Sequence, residues 1–136
     1  MTRSVLLVAG LVALLTAAPA TASRKATKRE AAAITRAIHT STVGGIKKVP
    51  RSHYRVTRQK VSTISRYWAL ADMVARPKYV NSFQNASVLL IRLAGTGRWA
   101  VVDLGTADVG CGIAPTPVLV DLFNTNTPCP PGQGIP

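Results

Sequence analysis

The residues of this chain that could do chemistry are few. Five acids (Glu30, Asp72, Asp103, Asp108 and Asp121), two histidines (His39 and His53) and two cysteines (Cys111 and Cys129) are the whole supply. A hydrolase working with paired carboxylates needs two of the four aspartates brought together, and nothing in their spacing requires that. His53, Asp72 and Ser62 have the composition of a nucleophilic triad, but any chain offers such trios. No G-x-S-x-G elbow and no H-E-x-x-H pair sharpens the reading. The expectation is a protein without catalytic residues.

The stretch "VVDLGTADVGC", residues 101–111, is the strongest motif. An apolar run leads into Asp103, Gly105 and Thr106, and this resembles the first phosphate-binding turn of the actin and Hsp70 type ATPases. The resemblance would imply a two-lobed nucleotide-binding domain with a second Asp-Gly turn later in the chain. This chain is too short for two such lobes and has no second Asp-x-Gly-T/S turn. Gly105 is therefore read as a strand-end turn or bulge, with Asp103 and Thr106 making local hydrogen bonds. Gly95-x-Gly97 precedes a strand, whereas a phosphate-cradling loop precedes a helix. Cys111 and Cys129 lack C-x-x-C spacing and have no histidine nearby, so a disulfide is expected rather than a metal site. Closing that loop would stabilise the fold by about 3 kcal/mol in the chain-entropy model. No cofactor and no metal are expected.

The N-terminus, "MTRSVLLVAGLVALLTAAPATASRK", has a basic head at Arg3, an apolar run from Val5 to Ala18 and small residues at Ala20-Thr21-Ala22. That is the pattern of a secretory signal peptide over residues 1–22, cleaved after Ala22, with Ala20 the second choice. The 14 residues from 5 to 18 fall short of the about 20 needed to span a bilayer. The expected product is secreted, either extracellular or associated with the cell envelope, with no stable membrane insertion. Residues 23–26 are expected to be a disordered basic lead, 27–130 a single domain, and 131–136 a Pro/Gly tail that continues no element.

Within the domain, residues 27–42 carry a helical stripe at Ala33, Ile34, Ala37 and Ile38. Thr27 and Glu30 stand at capping-box spacing, and Gly44-Gly45 ends the pattern. His39, near the C-terminus of that helix, would favour the dipole if charged. Strands are expected at about 54–64 and 67–76, then at 86–94 and 98–104 around the hairpin loop Gly95-Thr96-Gly97. In the last strand, Trp99 and Val101 are expected to face opposite to Ala100, Val102 and Leu104. That hairpin is apolar on both faces, so it should lie centrally, with the helix on one side. Asn85-Ala86-Ser87 is a formal glycosylation sequon, read here as a turn before a strand. Thr116 as N-cap and Pro117 at the first position predict a short helix to about Phe123.

The fold class expected is α+β: an N-terminal helix packed on a four-stranded antiparallel sheet, with a short C-terminal helix in a disulfide-closed loop. That order is similar to cystatin-like and NTF2-like rolls over roughly residues 27–104. At sequence level, "VSTISRYWALADMV", "GTGRWAVVDLGTADVGCG" and the closing "DL…CP" resemble small secreted proteins of unknown function from high-GC Gram-positive bacteria. In those proteins a W-A-x-A strand and a W-x-V strand precede a Cys-Gly. The match here is Trp68-Ala69-x-Ala71, Trp99 and Cys111; it carries over no functional residues, and the two tryptophans are read as core anchors.

Charge is the remaining signal. The chain has 17 Lys and Arg against 5 acids, a formal net charge of +12. Eleven of those cations lie between Arg24 and Lys60, and none follows Trp99. Lys47, Lys48, Arg51, Arg55, Arg58, Lys60 and Arg66 are expected to form a basic face for an anionic partner. Nucleic acid is a weaker match than an anionic envelope polymer, because only Tyr54 interleaves with the cations and no nucleic-acid motif is present. The expected function is an exported, non-catalytic binding protein whose partner is an anionic cell-envelope polymer or a secreted protein. The alternatives are a cystatin-like inhibitor of a secreted hydrolase and a small enzyme with an NTF2-like pocket.

Overall fold

The computed structural model describes residues 22–136. Apart from Ala22, the expected signal peptide lies outside the described residues. Helix α1, Lys28–Thr40, starts where the capping box predicts. Glu30 N donates to Thr27 Oγ1 (3.2 Å) and Thr27 N donates to the Glu30 carboxylate (2.9 Å). Its inward face buries Ile34 and Ile38. Each contributes about 2 kcal/mol against about 1 kcal/mol for the cap, so burial holds the helix and the cap sets where it begins. The helix stops at Ser41, before the two glycines. Gly44 and Gly45 instead bend the following 3-10 turn, Val43–Lys48, with φ of 57° and 77°. A side chain at Gly44 would run into Leu104.

Five antiparallel strands form one sheet in chain order. They are β1 (Arg24–Lys25), β2 (Tyr54–Val61), β3 (Trp68–Ala75), β4 (Ala86–Arg92) and β5 (Trp99–Gly105). The fold is thus α+β with five strands where four were expected. Residues 23–26, expected as a disordered lead, contain β1: Arg24 pairs with Val61 and Lys25 with Lys60. The Arg24 guanidinium also grips Glu30 through two hydrogen bonds, of 2.8 and 2.7 Å. A two-residue strand has no period to read, which is why the pattern alone misses it.

Two bulges re-aim side chains. In β2 the register shifts between Thr57 and Lys60, with Arg58 at φ 49°. In β5 Leu89 pairs with Asp103 and Leu90 with Val101, so one extra residue stands between them. The extra residue reverses the alternation. Leu104, expected opposite Trp99 and Val101, therefore joins them on the α1 side. The hairpin β4–β5 is also less central than expected: β3 is the middle strand and β5 lies at an edge.

Both faces of the sheet are sealed. Ala69, Ala71 and Met73 of β3 pack with Ile34, Ile38 and Ile46 under α1. Leu70 of β3 and Leu89 of β4 meet the second helix, α2 (Thr116–Phe123), through Val118, Leu119 and Leu122. Trp99 is buried in the first core and Trp68 packs against the second. The α2 range is as expected, but its N-cap is Pro115 and no side chain caps it. Thr116 N instead donates to Ile135 O (2.6 Å), and Pro115 bridges Ile135, so the Pro/Gly tail is tied back to the domain. The expected disulfide, Cys111–Cys129, closes this segment with its Cα atoms 5.6 Å apart. No helix among the described residues is long and apolar enough to cross a membrane.

One buried carboxylate fastens α2 to the end of β2. Asp121 accepts from Ser62 Oγ (2.7 Å), Thr63 N (2.8 Å) and Thr63 Oγ1 (3.0 Å). Ser62 Oγ in turn accepts from Ile64 N and Ser65 N, shaping the turn. Asp121→Ala leaves buried donors without an acceptor and is expected to lower stability by about 2–3 kcal/mol in urea unfolding. A loss below about 0.5 kcal/mol would show that the clamp is dispensable.

Candidate functional site

The acids are placed so that little negative charge reaches the surface. The Arg24 guanidinium beside Glu30 holds its carboxyl down at about 2, helped by the Thr27 backbone. Asp72, buried in β3, is ion-paired with Arg58 and accepts from Ser87 Oγ (3.3 Å). Asp103 accepts from Leu104 N (2.9 Å) and Gly110 N (2.7 Å), the local role expected of it in the "DLGT" turn. Asp121 forms the clamp described above. Asp108 sits in the turn after β5 with φ 54°. No two of these carboxylates share a site, and each of the buried ones is occupied by its own donors.

The trio of His53, Asp72 and Ser62 is not assembled. His53 precedes β2 and stacks on Tyr79 with ring centroids 3.8 Å apart, whereas Ser62 follows β2 at its other end and donates to Asp121. Among the described residues, no group of three or more His, Cys, Asp or Glu could hold a metal ion.

The seven cations expected on one face divide in the structure. Lys47 and Lys48 lie in the Val43–Lys48 turn, Arg51 in a second 3-10 turn (Arg51–His53), and Arg55 at the start of β2; all four are exposed at one end of the sheet. Arg58 stands on the β2 bulge, committed to Asp72. Lys60 points under α2, where Nζ donates to Leu122 O (2.6 Å). Burial lowers its pKa and the Arg58 charge lowers it further. It is a structural group that stitches β2 to the C-terminal end of α2. Arg66 lies in the 62–67 turn, at the opposite end of the sheet, against the Tyr67 ring (5.5 Å). The expected continuous face from Lys47 to Arg66 is thereby corrected to two separate ends. A strand of eight residues, β2, separates them by roughly 25 Å.

Two cations absent from the expected set join the first end. Arg76 N donates to His53 O (2.8 Å), continuing the β2–β3 ladder, and Tyr79 of the third 3-10 turn (Pro77–Tyr79) stacks on His53. Arg76 and Lys78 are thus brought beside Arg51 and Arg55. The signal that could have found them is the hairpin register, which pairs Tyr54 with Ala75. Along the flank of α1, Arg36, His39, Arg51 and Gln59 line an open groove of about 460 Å³. Burial lowers the His39 pKa and the Arg51 charge lowers it further, so this site disfavours the charged imidazole that the helix dipole alone would favour. Among the described residues the ion pairs are Arg24–Glu30 and Arg58–Asp72, so no carboxylate pairs with the cations of the first end.

A groove of about 830 Å³ lies elsewhere, between α2 and the 62–67 turn. Ile64, Pro117 and Val120 line it together with Asp121, Asn124 and Asn126, and no cation among the described residues does. Compared with protein-family models, with curated proteins and with solved structures, the chain matches none. The distribution of charge therefore carries the functional reading.

The low Glu30 value sets a pH dependence. A carboxyl held below its ordinary value stabilises the fold fully above about 4.5 and loses that contribution as pH falls toward about 2. Glu30→Gln is expected to lower stability at neutral pH and to flatten the fall between these limits in urea titrations. An unchanged acid slope in the variant would contradict the Arg24–Glu30 assignment.

Proposed function

We propose that this is an exported, non-catalytic binding protein whose basic end contacts an anionic polymer of the cell envelope. The observation that carries the reading is the clustering of Lys47, Lys48, Arg51, Arg55, Arg76 and Lys78 in and beside the short turns at one end of the sheet. No acid occurs in the chain between Glu30 and Asp72, or between Asp72 and Asp103, to neutralise them. Such a field attracts an extended polyanion, which displaces counterions as it binds. The disulfide and the N-terminal signal pattern support an extracytoplasmic setting. Export, and kinship with the small secreted proteins that the Trp68, Trp99 and Cys111 stretches resemble, are part of the same proposal.

A polymer of phosphates or carboxylates suits the surface better than nucleic acid. Tyr79, at the same end, already has one face stacked on His53 (3.8 Å) and lies near the Lys78 ammonium (5.8 Å). Tyr54, the aromatic interleaved with the cations in sequence, is buried in the core with its edge against His39 and Phe83. It offers no face on which a base could stack.

The test is co-sedimentation of the chain from Ser23, which contains every element found among the described residues, with cell walls of the producing organism stripped of membrane. Binding is expected at about 0.05 M salt and is lost by about 1 M, where the Debye length falls to about 3 Å. Replacing Lys47, Lys48, Arg51 and Arg55 with Gln is expected to abolish it at low salt. Binding that persists at high salt, or in the fourfold variant, would overturn this reading and favour a hydrophobic protein interface.

A further inference from the structure

The other end of the sheet carries a second surface of different chemistry. There the 62–67 turn between β2 and β3 and the 93–98 loop between β4 and β5 lie side by side. Arg92 N donates to Tyr67 O (2.7 Å), extending the Trp68–Ile91 pairing by one residue. Among the described residues six large apolar side chains are exposed, and three of them belong to these two segments: Ile64 (62%), Tyr67 (45%) and Leu93 (45%). The same two segments supply Arg66, which lies against the Tyr67 ring, and Arg98, and Arg92 ends β4 beside them. Arg92 Nε also holds Gly97 O (3.2 Å), which braces the loop. No acid lies in 61–71 or 92–102, and Asp121, which clamps the turn from α2, is buried against its own donors.

This combination discriminates among partners. A polyanion dissolved in water uses the guanidiniums and leaves Ile64 and Leu93 exposed. A second copy would cover the apolar tips but would bring two sets of three guanidiniums together without a carboxylate between them. An anionic bilayer satisfies both parts, because short apolar side chains enter the boundary of the acyl region while guanidiniums remain at the phosphate level. We infer that the tip formed by Ile64, Tyr67 and Leu93, ringed by Arg66, Arg92 and Arg98, docks on the surface of an anionic membrane. The docking is peripheral and leaves the opposite basic end free to hold a polymer at the same time. It does not rest on the polymer reading, since the two surfaces share no residue.

Vesicles separate the two ideas, because they contain no polymer. The chain from Ser23 is expected to sediment with vesicles of mixed phosphatidylglycerol and phosphatidylcholine and to stay in solution with phosphatidylcholine alone. Ile64→Ser combined with Leu93→Ser is expected to weaken that binding at least tenfold with an unchanged melting temperature, both positions being exposed. Arg66→Gln is expected to weaken it by roughly fivefold, the effect of one cation near an anionic surface. Lys47→Gln with Lys48→Gln is expected to leave it within about twofold. The inference is overturned if anionic vesicles bind no protein, if the Ile64 and Leu93 variant binds as well as the parent, or if the Lys47 and Lys48 variant alone loses binding. It is equally overturned if the apolar tip pairs two copies in solution, as concentration-dependent mass measured without vesicles would reveal.

Discussion

The sheet is apolar on both faces, and that constraint organises the molecule. In β3, Trp68 and Leu70 point to one side and Ala69, Ala71 and Met73 to the other, each into a separate core. A sheet of this kind needs two covers. α1, which precedes strands β2 to β5 in the chain, supplies the first. α2, which follows the sheet, supplies the second and is held by the disulfide, by the Asp121 clamp and by the bridge from Pro115 to Ile135. With both faces covered, the turns at the two ends of the sheet are where most unpaired charge can sit. The basic character of the sequence thus becomes two charged ends rather than a charged face.

Asp72 is the exception that explains a strained backbone. A carboxylate buried in the middle strand without a partner would cost several kcal/mol, whereas a non-glycine residue at positive φ costs about 1–3 kcal/mol. The β2 bulge accepts the smaller cost. Arg58 takes φ 49° and reaches Asp72, while Ser87 supplies a second hydrogen bond. The same bulge turns Lys60 toward α2, where its ammonium group meets the last turn of the helix. Of the cations that look like binding groups in the sequence, Arg58 is thereby committed to neutralising Asp72 and Lys60 to holding the second cover in place.

What the sequence made legible were the local features with a period or a cap. Thr27 and Glu30 placed the start of α1, the glycine loop at 95–97 placed the β4–β5 hairpin, and Pro117 placed α2. What it hid depended on register. Leu104 changed face because a bulge adds one residue, and no composition signal marks that bulge. β1 was too short to show alternation. The basic site suffered most, because sequence proximity is a poor guide to spatial proximity across an extended strand. Lys60 and Arg66 follow Arg55 closely in the chain, yet one is half-buried and the other sits at the far end. Arg76 and Lys78, more than twenty residues beyond, return to the same end through the antiparallel pairing of Tyr54 with Ala75.

The central claim is that uncompensated charge concentrates at the end of the sheet built from the three 3-10 turns. Mapping amide chemical shifts while inorganic polyphosphate is added to isotope-labelled protein tests it most directly. The account predicts salt-sensitive shifts that are largest in 47–55 and 76–79 and smaller at Arg66, Arg92 and Arg98, with the β2 bulge at Arg58 and the α2 clamp at Asp121 unmoved. Shifts spread evenly over all cations, or centred on Arg24, Lys28 and Arg29 at the start of α1, would contradict it.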